Sequence, residues 1–130
     1  MDRINMVNDI MLYLGSIALV FWGTFHILPV KSIVKGYGDT SEDNKHIITM
    51  EWIAGGLGII FLGALVGLTT LLGGSEEPVS ILVYWLSGTM LVILTGLHLL
   101  TGFRTSIIPM KICPAILGSA AVLILLATVL

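Results

Sequence analysis

Long apolar stretches with very few charges dominate the pattern of this chain. Four of them are close to or longer than the roughly 20 residues that an α-helix needs to cross the hydrocarbon core of a bilayer. They cover about residues 9–29, 47–72, 79–102 and 107–130. Short segments rich in glycine, proline and charge separate them. The pattern therefore predicts four transmembrane helices joined by short loops.

Proline, glycine and capping residues predict where these helices begin and end. Pro29 closes the first apolar stretch, because its ring removes a backbone donor. Thr40-x-x-Asp43 resembles a capping box, which predicts that the second helix begins near Ser41, before the membrane proper. The glycine pair at 73–74 predicts its end, and Pro78 suits the first turn of the third helix.

Composition agrees with a membrane protein. Of 130 residues, 56% are hydrophobic and 11% are charged, whereas soluble domains carry about 25% charged residues. Four spans use nearly the whole sequence, so we expect one integral-membrane domain over residues 1–130 with the fold of an all-α, four-helix transmembrane bundle. Acidic residues and no small-residue cleavage site flank the first stretch, so we expect it to be retained. The single cysteine, Cys113, excludes an internal disulfide.

Positive charge is unevenly divided between the two sides of the predicted bundle. The side that carries the first and third loops holds most of the basic residues: Lys31, Lys35, Lys45, Arg104 and Lys111. The opposite side holds one, Arg3, among four acidic residues: Asp2, Asp9, Glu76 and Glu77. Because Lys and Arg accumulate in short cytoplasmic loops, we expect both termini to face outward, in a multi-pass protein of the cell membrane.

Three histidines and one glutamate lie toward the predicted cytoplasmic face. They are His26, His46, Glu51 and His98. Ionisable groups inside a membrane are costly and are therefore candidates for function. His46 precedes Glu51 by five residues, about 140° around a helix, so the two do not converge on one ion. Glu51, His26 and His98 are the candidate residues for ligand binding or proton handling, and His46 is a candidate for the headgroup region.

Glu51 has no basic residue three or four positions away, so its partner must come from another helix. Two interpretations remain open. Glu51 pairs with Arg104 or Lys111 and fixes how the helices pack, or it is a partly desolvated carboxylate that handles protons or binds a cation.

Thr95 and Thr101 flank His98 on one predicted helical stripe, and they are further candidate partners within the site. Threonine in a membrane helix commonly bonds its own backbone carbonyl, which is the alternative interpretation of this stripe.

Metal or haem ligation is one interpretation of His26, His98 and Glu51, because imidazole and carboxylate are suitable ligands. The spacing does not support it further, since the sequence contains no HxxxH, ExxH or CxxCH motif. The cofactor therefore stays unknown. The alternative is that each histidine lies at headgroup level and forms a hydrogen bond with a neighbouring helix.

Gly63-x-x-x-Gly67 forms a notch that allows close helix packing, within the bundle or, alternatively, in a homo-oligomer. The leading functional hypothesis is a small membrane protein that binds a cation, haem, metal or small ligand, or handles protons, near the cytoplasmic face. The alternatives are a non-catalytic subunit of a larger membrane complex and an enzyme acting on a lipid-soluble substrate. No phosphate loop, nucleotide fingerprint or basic patch with aromatics is present, and we expect no nucleic-acid partner.

Overall fold

The computed structural model describes residues 3–130, and within that range it contains helices and no strands. The helices are α1 (Arg3–Ile27), α2 (Val30–Gly36), α3 (Glu42–Gly73), α4 (Pro78–Leu100) and α5 (Ile108–Leu126), with a 3-10 turn at Gly102–Arg104. All except α2 are long and apolar enough to cross a membrane. The prediction of an all-helical chain with four membrane-length helices is therefore confirmed.

The region after Pro29 differs from the loop that the sequence predicts, because residues 30–36 form the short helix α2. The carbonyl of Pro29 accepts a hydrogen bond from the amide of Ile33 at 2.9 Å. Proline interrupts the preceding helix but is well tolerated at the start of the next one, since the first amides of a helix need no partner within it. The α2 helix packs against α3.

The predicted start of α3 is confirmed, with the cap one residue later than expected. The hydroxyl of Ser41 accepts a hydrogen bond from the amide of Asn44 at 3.2 Å, so Ser41 is the N-cap. In the same turn, Lys45 forms an ion pair with Glu42 at 2.7 Å. Glycine ends the helix as predicted, with Gly74 at a φ of 80°.

Close packing of α1 against α3 depends on glycine. A Cβ atom at Gly63 would lie 2.8 Å from the carbonyl oxygen of Ser16, and one at Gly23 would lie 2.7 Å from that of Gly56. The hydroxyl of Ser16 also donates to the carbonyl of Gly63 at 2.6 Å. Small residues and interhelical hydrogen bonds of this kind stabilise close contacts between apolar helices. The face of Gly63 and Gly67 is occupied by α1 of the same chain.

The helices α3 and α4 contact each other beside the turn that connects them, at what we call the hairpin end of the bundle. There the hydroxyls of Thr70 and Tyr84 are 2.9 Å apart, and both side chains are buried. At the opposite end, where α1 ends, α3 begins and α4 ends, both α3 and α4 line a cavity. We call this the cavity end. The core between α1, α4 and α5 includes Leu12, Leu91 and Leu117.

Candidate functional site

A cavity of about 480 Å³ lies between α3 and α4 at the cavity end. Its wall combines aliphatic, aromatic and ionisable side chains from four helices and from Tyr37, which follows α2. The lining residues are His26, Tyr37, Ile47, Ile48, Glu51, Trp52, Gly55, Leu94, Leu97, His98 and Met110. The structure thus brings Glu51, His26 and His98, the three residues predicted from the sequence, to the wall of a single cavity.

His26 is the most enclosed polar group in this wall, with 4% of its surface exposed. Its ring stacks on that of Trp52, and the indole N–H of Trp52 donates to the backbone carbonyl of His26. The Nδ1 atom of His26 is buried and has no hydrogen-bond partner among residues 3–130. On the other side of the ring, Nε2 lies 3.6 Å from where a Cβ atom of Gly55 would be. The absence of a side chain at Gly55 leaves this edge of the imidazole open.

A hydrogen bond to the backbone defines which ring nitrogen of neutral His98 carries the proton. Its Nδ1 lies 2.8 Å from the carbonyl oxygen of Leu94, one turn earlier in α4. Because a carbonyl oxygen only accepts, Nδ1 carries the proton and donates it. In neutral histidine the second nitrogen is then an acceptor, so Nε2 of His98 keeps a free lone pair.

Glu51 lies on the first part of α3 and is exposed in the wall of the cavity. The one ion pair found within residues 3–130 joins Lys45 to Glu42 and does not involve Glu51. Arg104 and Lys111, the two predicted partners, are exposed and line none of this cavity. The interpretation of Glu51 as part of a packing ion pair therefore finds no contact in the described chain.

The metal interpretation of Glu51, His26 and His98 is not supported by the geometry. Within residues 3–130, no group of three or more His, Cys, Asp or Glu side chains is arranged to hold a metal ion. The three residues come from three different helices, and the ring of His26 is held against Trp52. They share a cavity without sharing a coordination point.

The threonines on α4 satisfy their own helix, as the alternative interpretation predicted. The hydroxyl of Thr95 donates to the carbonyl of Leu91 at 2.7 Å, and that of Thr101 donates to Leu97 at 2.6 Å. Neither lines the cavity between α3 and α4. Thr101 instead lines an adjoining cavity of about 300 Å³, which shares His98 with the first. The hydroxyl protons of Thr95 and Thr101 are therefore already used in hydrogen bonds to backbone carbonyls.

Two other polar or reactive residues lie outside the cavity. His46 is exposed and does not line it, consistent with its predicted separation from Glu51. Cys113 is fully buried and accepts a hydrogen bond from the indole of Trp22 at 3.2 Å, which is a packing role.

Sequence reasoning did not identify the aromatic part of the site. Trp52 directly follows Glu51, and Tyr37 lies in a segment that was predicted to be a simple loop. The available signal is a tryptophan near the end of a predicted membrane helix, where aromatic residues commonly anchor the interface. That signal does not distinguish an anchor from a binding-site wall.

No protein-family model, curated protein or solved structure matches the chain. The fold and the cavity therefore define only a class: a helical protein with four membrane-length helices and a mixed polar and aromatic cavity at one end of the bundle.

Proposed function

We propose that this chain is a multi-pass membrane protein that binds a small, membrane-partitioning ligand in the cavity between α3 and α4. The observation that carries the proposal is the cavity itself, whose wall brings Glu51, which has no ion pair in the described chain, together with His26 and His98. A ligand in the cavity would supply contacts to this polar wall.

The composition of the cavity supports a small organic ligand. Binding sites for such ligands are about 300–1,000 Å³ in volume and mostly apolar, with a few convergent polar groups. This cavity has about 480 Å³ and an aliphatic and aromatic wall around Glu51, His26 and His98. Within the proposed site, Glu51 is the principal polar contact and the two histidines are its neighbours for hydrogen bonding or proton exchange.

The position of the cavity supports entry from the bilayer. Gly55 of α3 and Leu97 of α4 both line it and are both exposed, so it opens sideways between the two helices. The basic residues of the sequence favour a cytoplasmic location for the cavity end, with both termini outside. A ligand dissolved in the cytoplasmic leaflet would reach the site without crossing the hydrocarbon centre.

A variant that fills the cavity tests this proposal. Leucine at Gly55 would project toward the open edge of His26, where a Cβ atom makes only an ordinary contact. Gly58 is the matched control, because it lies one turn further along α3, has open space around its Cβ position and does not line the cavity. Both variants add the same side chain to the same helix.

Binding would be measured by native mass spectrometry and equilibrium dialysis of the purified chain in lipid nanodiscs. Three probes share a phenylbutyl body and differ in the head group: phenylbutylamine, phenylbutanol and phenylbutyrate. We expect saturable binding of at least one probe, its loss in Gly55→Leu and its retention in Gly58→Leu. Absence of saturable binding by all three, or equal binding by the two leucine variants, would overturn the proposal.

A further inference from the structure

We propose that the ligand of this cavity is an amphipathic organic cation, a protonated amine on an apolar body, with Glu51 as its counter-ion. This inference rests on the proposed function and specifies its ligand class. It depends on which polar groups in the wall accept hydrogen bonds, on the charge that is left unpaired and on the aromatic surface beside that charge.

The polar groups with defined roles in the wall are acceptors. His98 donates through Nδ1 to Leu94, so its Nε2 accepts. An ionised Glu51 carboxylate only accepts. The indole N–H of Trp52, a strong donor nearby, is already used by the carbonyl of His26. Nε2 of His98 and the carboxylate of Glu51 could therefore both receive hydrogen bonds from a head group that donates several, as an ammonium group does.

Charge further favours a cation over a neutral donor. Glu51 is unpaired in the described chain, and the nearest lysine along α3, Lys45, is paired with Glu42. A protonated amine would both pair with an ionised Glu51 carboxylate and donate hydrogen bonds to it. A carboxylate ligand would instead add a second negative charge to the cavity. A neutral ligand would leave the charge of Glu51 uncompensated.

The rest of the wall suits the body of such a cation. Tyr37 and Trp52 both line the cavity, and Tyr37, which is 54% exposed, offers aromatic surface that attracts organic cations through the negative ring face. Leu94, Leu97 and Met110 supply aliphatic surface for an apolar chain. A bare metal ion would use none of this surface, and residues 3–130 hold no group of ligands arranged for one.

The same three probes separate this inference from the proposed function. In the wild-type chain we expect phenylbutylamine to bind at least about 10-fold more tightly than phenylbutanol, with no saturable binding of phenylbutyrate. Glu51→Gln should weaken the binding of the amine by roughly 10- to 100-fold, as expected for the loss of a charge-assisted hydrogen bond, and leave the binding of the alcohol unchanged. Glu76→Gln, which removes a carboxylate at the hairpin end, is the matched control and should change neither.

The possible results distinguish failure of the cation inference from failure of the proposed binding function. Equal binding of amine and alcohol by the wild-type chain, lost in Gly55→Leu, would overturn the cation inference and leave the binding site in place. Preferential binding of the amine that survives Glu51→Gln would also overturn it, because Glu51 would not be the counter-ion. Absence of binding by all probes would overturn both proposals. The comparison within the wild-type chain needs no variant, so it stands even if Glu51→Gln fails to fold.

Discussion

The imidazole of His26 and the indole of Trp52 are stacked, with ring centroids 4.4 Å apart and planes inclined by 6°. The same indole donates its N–H to the backbone carbonyl of His26, so the two residues contact each other twice. His26 lies in the last turn of α1, where carbonyls lack amide partners further along the helix. Trp52 therefore caps α1 from α3 and also holds one wall of the cavity in place.

Substitution of Trp52 by phenylalanine tests this capping role. Phe keeps an aromatic ring but removes the donor, which leaves the carbonyl of His26 without that partner. We expect the free energy of unfolding to fall by about 1–3 kcal/mol. The measurement is a detergent titration that unfolds the chain from mixed micelles, monitored by circular dichroism.

Trp85→Phe is the control for this experiment, since Trp85 is 44% exposed on α4 and lies outside the cavity. Its effect should stay below about 0.5 kcal/mol, as for other exposed positions. Equal losses for the two variants would show that the N–H of Trp52 does not stabilise the end of α1.

Alanine at Gly63 should destabilise the contact between α1 and α3. Its methyl group would meet the backbone of Ser16 at 2.8 Å, which neither helix relieves without moving. Overpacking of this kind costs about 1–3 kcal/mol. The same unfolding titration measures the loss.

Gly58→Ala provides the opposite expectation on the same helix. Open space surrounds its Cβ position, and alanine is the better helix former, so stability should stay equal or rise by up to about 1 kcal/mol. If both alanine variants lose stability alike, the effect lies in α3 itself and not in its packing against α1.

Ser41→Ala should loosen the first turn of α3 without affecting the remainder of the helix. The hydroxyl of Ser41 accepts from the amide of Asn44, and loss of an N-cap costs about 0.5–2 kcal/mol. Hydrogen exchange should show faster exchange of the amides at 43–45 and unchanged exchange around Val66. Ser32→Ala, at an exposed position in α2, should leave both regions unchanged.

Single-cysteine labelling tests the orientation. In a Cys113→Ser background, Ser75→Cys at the hairpin end should react with a membrane-impermeant maleimide on intact cells. Ser106→Cys, between the 3-10 turn and α5, should react only after the cells are opened, because the basic loops favour the cytoplasm. The reverse labelling pattern would place the cavity end outside.

Local chemistry along the chain was sufficient for most of the fold. Hydrophobic length predicts the four long helices, the glycine pair at 73–74 ends α3, and Pro78 starts α4, because each is a property of a short segment. Pro29 correctly predicts the end of α1, but nothing in the sequence shows that the same proline begins α2. A helix of seven residues is too short for its hydrophobic pattern to predict it from the sequence.

The candidate site, like the fold, could be predicted from the sequence only in part. By itself the sequence determined which side chains are costly in a membrane and that Glu51, His26 and His98 lie toward one end. Only the tertiary structure decided that they line one cavity, that Trp52 stacks on His26, and that Glu51 has no ion pair with Arg104 or Lys111. The reason is physical. The free-energy cost of placing a side chain in a membrane depends on its residue type and its depth, which the sequence indicates. Contacts between helices depend instead on how each helix is rotated and how closely the helices approach, which the packing at Gly23, Gly56 and Gly63 determines.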